Sequence, residues 1–364
     1  MTTLRRRVIF RGVLPLLALA LILGGYGLYW QQVAKQLQAG VEQWAAEQRA
    51  GGATIDFQWR GITGFPFAFT ANFSGVNILG KLGGTALSAR TDHLQLNLSP
   101  IDLNAIRLLC DQPLTVIVPG INIGTPGGSD NDIAGARLTL DQADGLIRLR
   151  KGNPAGVTID ASRARLDNGP EVLSIASLHL DVQLPETPPH DFNDPAAMVN
   201  LAINNADLPA GTPQLLPGPI IEASLDGVIK GPLLPPAGTE PPHDLAGFLS
   251  HWRDAGGVLK LDKFTFAQGP LDLAGDGTLA LDPNLQPEGA GKVTATGLAD
   301  LVDLLAARGA IKHKDAGIAQ AIITGLQKPG ANGRPEVTIG LSVQDNIVSF
   351  GFARLFKFPQ IVWP

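Results

Sequence analysis

From residue 53 onward, apolar and polar residues alternate along much of the chain. Ile55, Phe57 and Trp59 interleave with Asp56, Gln58 and Arg60, and Phe67, Phe69, Ala71 and Phe73 alternate after Pro66. Leu94, Leu96 and Leu98 do the same, as do Leu178, Leu180, Val182 and Leu184. A period of two marks strands with one buried and one wet face, the habit of antiparallel sheets. Further strands are expected at 114–118, 136–140, 145–150, 157–161, 220–230, 258–266, 271–274 and 278–282. Val337–Gln344 and Ile347–Ala353 read as a pair joined by a two-residue turn at Asp345-Asn346.

Before residue 51 the period is helical. Val33, Leu37, Val41 and Trp44 recur every three to four residues until Gly51-Gly52, which predicts a stalk helix packing one stripe on the domain. Three short helices are expected later. Asp244 caps one bearing Leu245, Phe248, Leu249 and Trp252, and Leu298, Leu301, Val302 and Leu305 mark the second. Asp315 caps the third, with Ala319, Ile322, Ile323 and Leu326 on one face. The expected fold is mainly β, a β-rich α+β arrangement. It has an N-terminal transmembrane helix and stalk, then an elongated antiparallel sheet with a few short helices packed on it. Length agrees, since 364 residues exceed what a single compact core usually holds. A soft boundary in the proline-rich stretch 185–197 separates a first β-rich part, 51–185, from a second, 197–364.

The first thirty residues set the expected compartment. Val13 to Trp30 is apolar and uncharged, close to the minimum for crossing a bilayer. Arg5, Arg6, Arg7 and Arg11 precede it, and no Lys or Arg follows until Lys35. The positive-inside rule then makes 1–12 a cytoplasmic tail, 13–30 a transmembrane helix and 31–50 the stalk, with the bulk of the chain across the membrane. Tyr26, Tyr29 and Trp30 cluster at the outer end as membrane-interface residues. The competing reading is a cleaved signal peptide. Its small-residue motif, Ala18-Leu19-Ala20, lies mid-run, and cutting there would leave Leu21-Ile22-Leu23 exposed.

Candidate chemistry changes this picture little. Charged residues make up 17% of the chain, and the body is more acidic than the net charge of −5, because the first thirty residues hold four arginines and no acid. Without a Lys/Arg cluster, no nucleic-acid partner is expected. Cys110 is the single cysteine, so no internal disulfide forms. His93 and His179 fall at polar strand positions, His190 and His243 precede aspartates in proline loops, and no nucleophile elbow or helical zinc pair accompanies any histidine. Gly80–Thr85 and Gly124–Ser129 lack the lysine placement of a phosphate loop and read as turns. Gly275-Asp276-Gly277-Thr278 superficially resembles an aspartyl-phosphate loop, but Ala274 stands where the nucleophile would be, so it reads as a hairpin turn. No catalytic residue, metal or cofactor is expected. Gly64-Phe65-Pro66-Phe67-Ala68-Phe69 is more distinctive. Phe65, Phe67, Phe69 and Phe73 line either an apolar groove or a core, and the core reading has Phe65 ending a turn while Phe67 and Phe69 point inward. Burial of one phenyl ring contributes about 2 to 3 kcal/mol.

These features together resemble a known family. The N-terminal anchor, the Trp44 helix and Gly64-Phe65-Pro66-Phe67 look like the start of the alphaproteobacterial domain of unknown function 2125. So does the run from Trp252 through Gly256-Gly257, Gly269-Pro270-Leu271, Gly277-Thr278-Leu279 and Leu285-Gln286-Pro287 to Gly289. The resemblance implies a membrane-anchored periplasmic protein and brings no activity or site. A looser likeness is to envelope proteins of the AsmA type, anchored at the N-terminus and built of amphipathic strands forming a greasy groove. Two functions stay open at this point. One is a non-enzymatic inner-membrane protein holding a lipid or another hydrophobic molecule along an apolar sheet groove. The other is an interaction scaffold in a cell-envelope complex, with a closed core and unknown protein partners.

Overall fold

The computed structural model describes residues 14–82, 85–118, 136–168, 171–209, 216–233, 242, 244–330, 333–350, 353–358, 360, 361 and 363. One helix opens the chain, α1 (Leu14–Ala50). Five strands follow: β1 (Thr54–Thr63), β2 (Phe69–Leu82), β3 (Thr85–Ser99), β4 (Asp102–Cys110) and β5 (Leu114–Val118). Five more are β6 (Ala136–Arg150), β7 (Asn153–Asn168), β8 (Glu171–Gln183), β9 (Pro195–Asp207) and β10 (Ile220–Lys230). After α2 (Leu245–Asp254) come β11 (Val258–Gln268), β12 (Leu271–Leu281) and β13 (Pro287–Thr296). Then α3 (Leu298–Ala307) and α4 (His313–Leu326) lead into β14 (Lys328–Pro329), β15 (Pro335–Gln344), β16 (Ile347–Phe350) and β17 (Ala353–Lys357).

All these strands belong to one antiparallel sheet, and nearly every strand pairs with its neighbour in sequence. Two departures interrupt the meander. β4 and β5 share the space between β3 and β6, and β13 pairs with β15 past the two-residue β14. The soft boundary near 185–197 falls in the loop between β8 and β9, which pair with each other. The expected β-rich fold with an N-terminal helix, one long antiparallel sheet and a few helices is what the chain forms.

α1 lies along the first hairpin. Leu37 and Val41 pack against Ala71, Phe73 and Val76 of β2, and Ala34 and Ala45 are buried on the same stripe. At the far end of the helix the Arg49 guanidinium donates two hydrogen bonds to the Ile55 carbonyl and sits over the Phe57 ring. At the near end the Trp30 ring stacks on Phe69 at 5.2 Å. The buried stripe thus runs through Ala45 and not Trp44, which is 48% exposed, because small residues let helix and sheet approach. The other helices lie at the sheet's ends. Asp244 accepts from the Gly247 N–H and caps α2, as its sequence predicts. Trp252 of α2 is buried and donates to the Lys230 carbonyl at 2.8 Å. It lies flat against Gly257, where any Cβ would meet its ring. α4 begins one turn earlier than expected, with Lys312 as the N-cap and Asp315 inside the first turn.

A crease crosses the sheet. The pairing skips Gly75 with Asp92, Asp141 with Arg163, Arg163 with Ala176, Ala176 with Asn205, and Asn205 with Ile221. Gly75, Arg163 and Asn205 have φ of 59°, 50° and 49°. One extra residue per strand shifts the in–out phase, so Leu138 and Leu140 before the crease share a face with Ala143 and Ile147 after it. Without the inserted residue, one half of every long strand would turn its apolar set to water. Gly275-Asp276-Gly277-Thr278 corrects an expectation: it is not a hairpin turn but the middle of β12, with Gly275 opposite Val293 and Gly277 opposite Gly291. A Cβ at Gly277 would lie 2.8 Å from the Ala290 carbonyl oxygen, and Cβ atoms at Gly275, Gly289 and Gly291 would come closer still to a neighbouring strand's carbonyl. The glycines let β12 and β13 approach each other more closely than side chains at these positions would allow.

The crease predicts a sign pattern at Arg163. Its left-handed conformation is costly for a branched side chain, so Arg163→Val should lose about 1 to 2 kcal/mol of stability. Arg163→Gly should be near neutral, its ion pair with Asp141 being exposed and of small value. Urea unfolding of the detergent-solubilised chain followed by circular dichroism checks both.

Candidate functional site

With the phase kept by the crease, apolar residues line up across strands as well as along them. Ala71 pairs with Leu96, and the row continues through Leu108, Gly145, Ile159, Leu180, Leu201, Leu225, Phe264, Gly275 and Val293 to Ile339. A second row runs from Phe69 through Leu98, Ile106, Ile147, Val157, Val182, Val199, Gly227, Leu261, Gly277 and Gly291 to Leu341. A third runs from Cys110 through Ala143, Ala161, Leu178, Ile203, Ala223, Phe266, Leu273 and Ala295 to Val337. No charged or polar side chain interrupts the first two. At roughly 4.8 Å per strand, the rows extend about 50 Å along the sheet.

Among the described residues, α1 covers the start of this face and no second sheet lies on it. The helices contact the sheet chiefly at β1, β12 and β15. Leu108, Ile159, Leu180, Leu201 and Leu225 are half-buried, their cover supplied by one another. Among the described residues, only Phe69 is a large side chain buried to below 2% exposure. The accessible surface is 22538 Å², whereas a compact monomer of 38.2 kDa has roughly 14,000 Å². The buried apolar residues gather in two clusters, Ala71, Phe73 and Val76 under α1, and Leu140, Ala161, Ala164, Ile175 and Ala206 at the crease.

The opposite face is polar. One hollow there, of about 540 Å³, is bordered by Asp111, Gln142, Asp144, Asp160, Ser162 and His179. His179 Nδ1 lies 2.7 Å from Asp160 Oδ1, and His93 Nδ1 the same distance from Asp111 Oδ1. Both histidines thus sit on the wet side, as their strand positions predict. Ser162, the hydroxyl beside the hollow, donates to Gln142. Among the described residues no group of three or more His, Cys, Asp or Glu side chains is placed to hold a metal. His243 and the loop Gly124–Ser129 lie outside the described residues. Asp181 is held by Thr158, Gln183 and Arg148. Burial opposes its ionisation, but these hydrogen bonds and the Arg148 charge outweigh it and hold the carboxyl below the usual range.

The aromatic residues singled out in the sequence divide in two. Phe69 and Phe73 are buried against α1, whereas Phe65 is 56% and Phe67 86% exposed. Phe67 does not point into the core, because β2 begins only at Phe69. Residues 64–68 form a turn in which the Phe67 and Ala68 N–H groups donate to the Gly64 carbonyl. The Phe65–Pro66 bond in this turn is cis. Tyr26, Tyr29 and Trp30, expected at a membrane interface, have protein neighbours. Tyr26 Oη donates to the Pro66 carbonyl, Trp30 Nε1 donates to Ala68 O at 3.2 Å, and Tyr26 contacts both the Tyr29 and Phe65 rings at 6.1 Å. Among the described residues no helix is long and apolar enough to cross a membrane. Residues 13–22 of the expected span lie outside those whose side chains are described.

A family model described as an uncharacterized protein conserved in bacteria, DUF2125, matches residues 30–359. The chain belongs to that family. No curated protein and no solved structure matches it. The looser likeness to AsmA-type envelope proteins therefore has no matching relative behind it. The family match begins at Trp30 and covers α1's packed stripe, the crease and all three apolar rows.

Two predictions follow the chemistry of this region. Burial, with the Asp111 charge beside it, pushes the Cys110 thiol up to about 11. A maleimide at pH 7 should leave the folded chain unmodified and label it stoichiometrically once denatured, read by intact mass. For Asp181 the folded pKa is depressed, so its support exists above the unfolded value and disappears as pH falls through the folded one. Asp181→Asn should cost about 1 kcal/mol at pH 7 and less at a pH low enough for the wild-type carboxyl to take up its proton too. Thermal melts at the two pH values check this.

Proposed function

We propose that the chain is a non-enzymatic bacterial envelope protein that binds lipid acyl chains along the apolar face of its sheet. It is held to the inner membrane by α1, with the sheet on the periplasmic side. The observation that carries the reading is the uninterrupted set of apolar cross-strand rows, which among the described residues no second sheet covers beyond the first strands under α1. An apolar strip about 50 Å long and three rows wide is an extended patch of the kind that marks an interaction surface, and it needs an apolar occupant. Leu, Ile, Val, Ala and Gly dominate the rows, so the strip offers dispersion contacts without stacking or hydrogen-bonding platforms. That favours acyl chains over sugars or nucleotides.

The anchoring part of the reading is supported by the sequence before the sheet. Four arginines, an uncharged apolar run and an aromatic end occur in that order, and α1 continues without a break from Leu14 into the stripe packed on β2. The second row begins at Phe69, which stacks on Trp30, so the strip starts beside the helix that the run feeds. Lipid leaving a bilayer at that helix would meet the first residues of the row.

The test is native mass spectrometry of the full chain, released from detergent micelles with and without added phospholipid. Retained phospholipid masses are expected. Leu180→Asp with Leu201→Asp, which places charge in the middle of the first row, should cut retention more than about tenfold, given the cost of burying an unpaired carboxylate. A bare protein mass after lipid addition, or equal retention by the charged variant, would sink the proposal and favour a scaffold whose strip is covered by protein.

A further inference from the structure

The turn Gly64–Ala68 is tied to α1 at Tyr26 and Trp30 by two side-chain hydrogen bonds and an edge-on contact of Trp30 with Phe65 at 5.6 Å. A turn fastened in this way stays level with the aromatic end of the helix. Its tip nevertheless carries Phe67, 86% exposed, with Phe65 beside it. The same end of the sheet supplies the next tip. Phe69 pairs with Leu98, so the turn between β3 and β4 stands beside the first one, and there Ile101 is 97% exposed. The turn after that, between β6 and β7, belongs to the same end because Ala105 pairs with Arg148. It presents exposed Arg150 and Lys151.

Lone exposed hydrophobes need no explanation. Here, however, large apolar side chains occupy the tips of neighbouring turns, at the level where an uncharged helix meets its first glutamines, Gln31 and Gln32. Two cations follow on the next turn of an otherwise acidic body. Aromatic and aliphatic tips beside basic residues are the composition that binds the headgroup–acyl boundary of an anionic bilayer.

The geometry points to this end of the sheet being seated in the surface of the bilayer that α1 enters. Phe65, Phe67 and Ile101 lie in the boundary region, and Arg150 and Lys151 face anionic headgroups. This assignment rests on the anchored reading above and deepens it. The second apolar row starts at this rim, with Phe69 and Leu98, so the strip opens at the bilayer surface instead of into bulk water. The turn then has two roles: it fixes the tilt of the sheet on the membrane, and it disturbs lipid packing at the mouth of the strip.

The test places single nitroxide-labelled cysteines in a Cys110→Ser background of the full chain, in nanodiscs of phosphatidylethanolamine and phosphatidylglycerol. The positions are Phe67→Cys, Ile101→Cys and Trp44→Cys. Trp44 is exposed on α1 fourteen residues past Trp30, about 21 Å further along the helix, and serves as the water-facing reference. Collision with oxygen relative to a water-soluble nickel chelate should be at least about threefold higher at 67 and 101 than at 44, if those tips lie in the interface. Equal ratios at all three positions overturn the assignment. Alkaline carbonate extraction of the same protein from vesicles separates the two ideas. A chain that stays in the membrane while positions 67 and 101 report water overturns the seated rim alone. A chain that carbonate releases overturns the anchor and the rim together.

Discussion

The structure turns on apolar side chains that have one face of a sheet to share and, among the described residues, no second sheet to bury them. Every strand from β2 to β15, apart from β5 and β14, contributes to rows on that face, and neighbouring side chains cover one another only partly. In a sandwich the same residues would meet a facing sheet and lose their water altogether. Here the shortage of cover is met in three places: α1 over the first strands, the crease in the middle, and the glycine-lined close approach of β12 and β13. What remains between them is the strip.

The crease and the close approach are the local devices that make so long a sheet possible. Twist accumulates with each strand, and a flat sheet this wide would expose its apolar face evenly. An inserted residue at Gly75, Asp92, Asp141, Arg163, Ala176, Asn205 and Ile221 bends the strands while returning their apolar residues to the same side. Asp141 and Arg163 face each other across β6 and β7 and pair at 2.8 Å on the wet side. A second ordering element closes the C-terminal end. The buried Gln286 amide donates to Ile361 O and accepts from both Asn346 Nδ2 and the Ile361 N–H, while Trp363 donates to Leu285 O. A glutamine with its polar atoms satisfied in this way latches the last residues onto two adjacent turns.

Much of the fold was legible in the sequence where period two ran undisturbed. β5 and β10 have the expected bounds, and the Asp345-Asn346 turn has the positive φ at both residues, 53° and 59°, that such a turn requires. The expectation failed where the sheet bends. β6 read as two pieces, 136–140 and 145–150, because the crease shifts the phase between them. β12 read as two strands around a turn, because glycines that permit a close approach look the same as glycines that reverse a chain. β13, with two glycines and two alanines, carries too little hydrophobic signal to be seen at all. The core reading of Phe67 takes the alternation to begin at Pro66, whereas the strand starts two residues beyond Phe67.

Local sequence determined that this chain is a β-rich protein led by a helix, since the periods of its apolar residues and the placement of its caps act within a few residues of the chain. It could not say what those apolar faces meet. An alternating strand buries the same residues whether it faces another sheet or an open strip, so the pattern is identical in both cases. The tertiary structure adds what the pattern lacks, by fixing the register of twelve strands so that their apolar residues fall into line and by laying α1 over the first of them. The phenylalanines divided for the same reason. Which of them α1 covers depends on where the helix docks, and that is settled by contacts forty residues apart in the chain, Tyr26 with Pro66 among them.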